Sequence, residues 1–240
     1  MLGIFDSGLG GLSVVRRVRE RLPHHELLFF ADQAHVPYGE RSAQDLARLL
    51  AINVAWLNQA GASLIVMGCN TSCAIGQQFG WPASAVPILD LIESAAIGVQ
   101  EAGMKRIGVV ATSATVRTRA YTRALQTRVP GVEVTEVAAP ALVPLVEAGK
   151  AGTQEAHLAV AQVCAELPSD LDAVVLACTH YPILDAHFGD ALGESVVRID
   201  PAFMQAERAV EHARDNVLAI GLGATHYVTN GDLEAFRTSV

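Results

Sequence analysis

The stretch Ala173-Val174-Val175-Leu176-Ala177-Cys178-Thr179-His180-Tyr181-Pro182 decides how this chain is read. Its first four residues are an apolar run of strand length with no polar face, as expected of a strand buried on both sides. The run ends in a thiol, a hydroxyl and an imidazole, and a helix is expected to open behind them. A second stretch repeats the plan: Leu64-Ile65-Val66-Met67 leads into Gly68-Cys69-Asn70-Thr71-Ser72. In both, a strand delivers a cysteine and a threonine follows within two residues.

Working outward, strand and helix alternate along the whole chain. Short apolar runs recur near Leu2, Glu26, Pro87, Arg106, Val132 and Val196, with helical stretches between them. Ser42 with Asp45 marks a helix start, and Leu46, Leu49, Leu50, Val54 and Leu57 keep helical spacing behind it. Asp90 with Glu93 predicts a capping box. Thr112 to Thr118 reads as a connection into a helix ending near Arg128. Asp200-Pro201 opens a helix to about Val217, and Tyr227 to Thr229 reads as a last strand.

This order specifies an α/β fold of the doubly wound kind. It also repeats. Leu2-Gly3-Ile4-Phe5 and Ile107-Gly108-Val109-Val110 lie 105 residues apart, Cys69 and Cys178 lie 109 apart, and Ile88-Leu89-Asp90 and Arg198-Ile199-Asp200 lie 110 apart. Three landmarks at nearly one offset predict two similar doubly wound lobes facing each other across a central cleft. Residues 1–91 plus 205–240 are assigned to the N-terminal lobe, completed by the C-terminal segment, and residues 92–204 to the second. Ligands in such sheets bind beyond the carboxyl ends of the strands, where both cysteines fall.

Composition removes several function classes. The 240 residues carry a net charge of -8, a pI near 5.4 and a mean hydropathy of +0.31. Duplex nucleic acid needs clustered cations, and the densest cluster, Arg16, Arg17, Arg19 and Arg21, reads as the wet side of a helix. No nucleic-acid partner is expected. No apolar run approaches the roughly 20 residues of a membrane span, so no membrane partner is expected either. The N-terminus reaches Asp6 without a basic region or secretory core, and the expected compartment is the cytoplasm. The only lysines, Lys105 and Lys150, sit before a strand and in a Gly-Lys-Ala-Gly loop. Neither suits a Schiff-base cofactor, and no cofactor is expected. Asp6-Ser7-Gly8-Leu9-Gly10-Gly11 lacks the Gly-Lys-Ser/Thr of a phosphate loop. Cys69 and Cys73 are spaced C-x3-C with no histidine beside them, so no metal is expected.

Two thiols facing one cleft suit proton exchange at a carbon stereocentre. One thiolate removes the α-proton from one face, the other thiol returns a proton to the opposite face, and configuration inverts. Thiols have a pKa near 8.5 that helix N-termini lower, which brings them toward working pH. A cysteine is more often a small buried hydrophobe. That reading is kept for Cys164, inside an amphipathic helix, and favoured for Cys73. Asp6, at the end of the first strand, is either turn chemistry or a partner of Cys69. His180 is either structural or a partner of Cys178. Residue types alone make Glu147 a solvated helix residue. Ser7-Gly8, Asn70-Thr71 and Thr179-His180 offer backbone N–H and hydroxyl donors at helix starts for a carboxylate.

With FDSGLGGLSV, VPYG, GCNTS, VPLVEAG and CTHYP in this order, the chain resembles the glutamate racemases of the cofactor-independent aspartate/glutamate racemase superfamily. The resemblance spans about residues 2 to 205. It implies that Cys69 and Cys178 are the acid/base pair, with Asp6, His180 and Glu147 assisting. It places Asp6, Ser7, Tyr38, Gly39, Asn70, Thr71, Thr179 and His180 around a small amino-acid substrate. It also implies glutamate as substrate, D-glutamate for peptidoglycan and hence cell wall and cell shape, a bacterial source, and a homodimer as the common assembly. Alternatives are a racemase of aspartate or another acidic amino acid, a superfamily lyase such as a decarboxylase, and a non-catalytic ligand-binding module. The chain departs from the family pattern at Ser72-Cys73 and at Asp32-Gln33-Ala34-His35.

Overall fold

The structure is a computed structural model and describes residues 1–216 and 221–237. In chain order its first lobe contains β1 (Leu2–Asp6), α1 (Leu12–Arg21), β2 (Leu27–Ala31), α2 (Ala43–Gln59), β3 (Leu64–Met67), α3 (Asn70–Phe79), β4 (Ile88–Leu89) and α4 (Leu91–Glu101). The second contains β5 (Arg106–Ala111), α5 (Ser113–Thr118), α6 (Ala120–Arg128), β6 (Glu133–Ala138), α7 (Leu142–Glu147), α8 (Gln154–Cys164), β7 (Ala173–Ala177), α9 (Asp185–Leu192) and β8 (Val197–Ile199). The chain then runs through α10 (Pro201–Asp215), β9 (Thr225–Thr229) and α11 (Leu233–Arg237).

Two all-parallel sheets result, with orders β4-β3-β1-β2-β9 and β8-β7-β5-β6. The strand order repeats, and so does the register. Gly3 pairs with Ile65 as Gly108 pairs with Val174, and Ile65 pairs with Ile88 as Val174 pairs with Arg198. These pairs preserve the offsets of 105, 109 and 110 seen in the sequence.

Side chains alternate along the strands between two environments, as a pleated strand requires. Leu2, Ile4, Leu64 and Val66 face an outer layer made with α1 and α10. Phe5, Ile65, Met67, Ile107, Val109, Ala173 and Val175 face a central layer shared by both sheets and filled by α2, α3, α4 and α6. Val110, Val174 and Leu176 face a third layer under α7, α8 and α9. The central layer joins the lobes, and the C-terminal edges of both sheets open toward one cleft.

The C-terminal segment supports the strand that carries Cys69. Gln205 of α10, fully buried, donates to the carbonyls of Met67 at 2.9 Å and Leu89 at 2.7 Å, and accepts from Ser94. Left unpaired, such carbonyls would cost about 1–3 kcal/mol each.

Local differences from the sequence expectation have physical causes. Thr112 to Thr118 is helical: the Thr112 side chain caps Thr115 N, and Arg119 at φ 54° breaks the helix before α6. Asp90 caps α4 through Ile92 N at 2.8 Å, but the Glu93 carboxylate pairs with Arg128 instead of turning back to the cap. Behind Cys178 stands only a short 3-10 turn, Tyr181–Leu184, before α9. The helix from Pro201 is described to Asp215, and Val217 lies outside the described residues.

Candidate active site

A cleft of about 650 Å³ of empty space, counting its mouth, lies between the lobes. Ser7, Tyr38, Gly39, Cys69, Asn70, Thr71, Cys178, Thr179 and His180 all line it. Of the candidate residues only Asp6 and Glu147 do not line it, and each stands behind a lining residue.

On the first lobe, Cys69 is the N-cap of α3 and its Sγ lies 3.5 Å from the Ser7 hydroxyl. A helix N-terminus ordinarily favours a thiolate. Here burial dominates and the charge of Asp6 adds to it, so the thiol is pushed up to about 11 despite contacts with Ser7 and Ser72. For Cys69 this corrects the expectation that helix placement would bring the thiol toward neutral pH. Asp6 Oδ2 accepts from Gly11 N at 2.8 Å and Gly8 N at 3.2 Å, while its buried Oδ1 has no protein partner. Burial raises its pKa, opposed by the charge of His180 and by those amides.

The glycines of this turn are steric requirements. A Cβ on Gly11 would lie 2.4 Å from Asp6 Cβ, and one on Gly10 only 2.2 Å from Thr179 Oγ1 of the other lobe. The turn therefore lets the two lobes touch beside the thiols.

On the second lobe, Cys178 Sγ lies 3.7 Å from His180 Nδ1, and His180 Nε2 lies 2.5 Å from Glu147 Oε1. Burial works against the imidazolium, but Cys178, Glu147 and the charge of Asp6 outweigh it and raise His180 to about 11. The same hydrogen bond lowers Glu147, against burial. The solvated role that residue types gave Glu147 is corrected: it holds the histidine. The helix start expected at Thr179-His180 is absent, since only the 3-10 turn follows.

Several neighbours went unrecognised in the sequence. Thr112 lines the cleft, and its hydroxyl lies 3.0 Å from those of both Thr71 and Thr115. It stands 105 residues after Ser7, the offset between β1 and β5, and that offset was the available signal. Tyr121 of α6 donates to Asn70 Oδ1, and the Asn70 amide nitrogen, buried, has no protein partner. Tyr38 gives its hydroxyl to Asp32 rather than to the cleft, with Asn53 at 3.0 Å. Burial disfavours the Asp32 carboxylate, but hydrogen bonds from Tyr38, Asn230, His35 and Asn53 prevail and lower its pKa. Cys73 is fully buried with Leu91 N 3.4 Å from its sulfur.

A family profile described as Asp/Glu/hydantoin racemase matches residues 12–209. The chain belongs to this family of isomerases. The glutamate racemase of Gloeobacter violaceus is 38% identical over 97% of this chain and 88% of its own length. Among solved structures, glutamate racemase from Thermus thermophilus in complex with beta-chloro-D-alanine is 33% identical, with a TM-score of 0.87 over 99% of this chain and 90% of that one. The Francisella tularensis enzyme in complex with D-glutamate is 26% identical, with a TM-score of 0.89 over 99% and 90%. These structures share the two-lobe fold. Among the described residues no helix is long and apolar enough to cross a membrane.

Proposed function

We propose that this chain interconverts L- and D-glutamate by two-base proton transfer between Cys69 and Cys178, in the cytoplasm, supplying D-glutamate for peptidoglycan. The observation that carries this is the placement of two cysteines at register-equivalent strand ends, both lining one interlobe cleft. The glutamate racemases it resembles over nearly the full chain supply the substrate.

In the direction that begins at Cys178, its thiolate takes the α-proton and the Cys69 thiol, held protonated by its surroundings, delivers one to the opposite face. The reverse direction exchanges these roles. His180, cationic and anchored by Glu147, places positive charge 3.7 Å from the sulfur on which charge develops. The Asn70 amide, the hydroxyls of Thr71, Thr112 and Thr179, and the N–H groups opening α3 are the donors for substrate carboxylates. The two units that close on the substrate are the lobes built on the sheets β4-β3-β1-β2-β9 and β8-β7-β5-β6.

Circular dichroism of pure L-glutamate, with aspartate in parallel and chelator present, tests the reading. Loss of optical activity with glutamate is expected, and abolition in Cys69→Ala and in Cys178→Ala. An unchanged glutamate signal rejects the substrate, and full activity in either variant rejects the mechanism.

A further inference from the structure

Away from the cleft, on the second lobe, His157 of α8 meets His187 and Asp190 of α9. One ligand atom from each lies within 4.8 Å of the others. We propose that these three side chains form a binding site for a divalent transition-metal ion of the zinc type, clamping α8 to α9.

Residues three apart on a helix share a face, so His187 and Asp190 project together toward His157. The two imidazoles meet edge to face, with centroids 5.4 Å apart. His157 Nδ1 lies 3.8 Å from Asp190 Oδ2. That is too long for a hydrogen bond, yet close to the roughly 3.3 Å between neighbouring ligands on a tetrahedral ion with bonds near 2.0 Å. A small side-chain rotation closes the difference.

The strongest feature is the support behind His187. Its Nε2 lies 2.7 Å from the carbonyl of Ala151. A carbonyl can only accept, so Nε2 carries the hydrogen and Nδ1 keeps its lone pair. Metal-binding histidines are oriented in this way by an outer carbonyl. Two imidazoles and one carboxylate suit zinc and its neighbours rather than calcium or magnesium, and leave a coordination position for water. Both histidines are half-buried and Asp190 is exposed, which gives the ion a route in.

The placement also gives the ion a structural effect. Ala151 lies in the turn after α7, whose last residue is Glu147, and α9 follows the turn that leaves Cys178 and His180. The clamp ties together the two chain segments that hold the His180–Glu147 pair. None of its three residues lines the cleft, so the ion takes no part in proton transfer.

The test is titration of the full chain with Co2+, followed by visible absorption and by thermal unfolding. One equivalent is expected to bind with the d–d bands of a nitrogen/oxygen site and no thiolate charge-transfer band, and to raise the unfolding midpoint. His157→Ala and His187→Ala should each abolish this binding, and Asp190→Asn should weaken it by about tenfold or more, in line with loss of one ligand. All three positions are partly or fully exposed, and a single cooperative thermal transition without metal confirms that the variants fold. Absence of stoichiometric binding, binding that survives in the His157→Ala/His187→Ala variant, or a thiolate band that places the ion on the cysteines overturns the proposal.

Discussion

Replacing Gly10 with alanine places a methyl group where the lobes touch. The new Cβ would lie 2.2 Å from Thr179 Oγ1, 2.7 Å from Thr179 Cβ and 3.1 Å from His180 Nδ1. Unstrained contacts settle near 3.5 Å, so one segment must move by about 1.3 Å. Overpacking of this kind costs about 1–3 kcal/mol. For a chain of this size that lowers Tm by roughly 2–12 °C. The displaced residue is Thr179, next to Cys178, and a misplacement of about 1 Å at reacting groups costs on the order of 100-fold in rate. Gly10→Ala should therefore lose about 100-fold in kcat/KM while still unfolding cooperatively. Gly152→Ala is the control, because nothing lies within 4 Å of its Cβ position. It should melt and turn over as the parent does. A Gly10→Ala enzyme within about threefold of the parent in kcat/KM, with its Tm unchanged, refutes the steric reasoning.

Other perturbations address the charges. Glu147→Gln replaces the ion pair with a hydrogen bond to a neutral acceptor; with Glu147 34% exposed, the loss is discounted to about 1–2 kcal/mol, or roughly tenfold in kcat/KM. His180 then loses its proton at lower pH, and a pH–rate profile whose alkaline limb stays in place contradicts this. Tyr121→Phe frees the Asn70 amide to rotate, and KM for glutamate should rise about 5- to 30-fold, more than kcat falls; an unchanged KM removes Tyr121 from substrate positioning. His180 has a folded pKa raised from 6.5 to about 11, so its contribution to stability is complete below pH 6.5 and is lost as pH rises toward 11. Thermal unfolding across that window should show Tm falling, and His180→Gln should flatten the slope; a slope unaltered by the substitution assigns it to other groups.

The framework was legible because both sheets are parallel and their inner strands buried. β2, β3 and β7 read as uninterrupted apolar runs, and the offsets of 105, 109 and 110 carried the register as well as the order. The cysteines were legible because a strand end is a defined place. What escaped depends on contacts between lobes. Nothing local to Thr112 or Tyr121 announces that they reach Thr71 and Asn70 across the cleft. The break at Arg119 was hidden because a left-handed arginine leaves no compositional mark. The high pKa of Cys69 was missed because the helix effect is visible in sequence, whereas complete burial beside a carboxylate is not.

The duplicated framework carries unlike chemistry on its two sides. At the offset of 105, Asp6 corresponds to Ala111, so no second carboxylate stands beside Cys178 from that strand. The second lobe instead supplies His180 and Glu147. One thiol thus faces an anion and the other a cation, and burial beside that anion holds the proton on Cys69. Removing the anion tests this asymmetry directly. In Asp6→Asn the amide oxygen can still accept from Gly8 and Gly11, so the turn persists while the charge is lost. The second-largest cause holding Cys69 near 11 disappears while burial remains, so its pKa should fall. The readout is the pH dependence of alkylation at Cys69, followed on the cysteine peptide by mass spectrometry. Its midpoint should move to lower pH in Asp6→Asn, while the profile at Cys164, the last residue of α8 in the third layer, should not move. A midpoint that stays or rises would mean that Asp6 does not act on the thiol through its charge, and the asymmetry would have to rest on His180 alone.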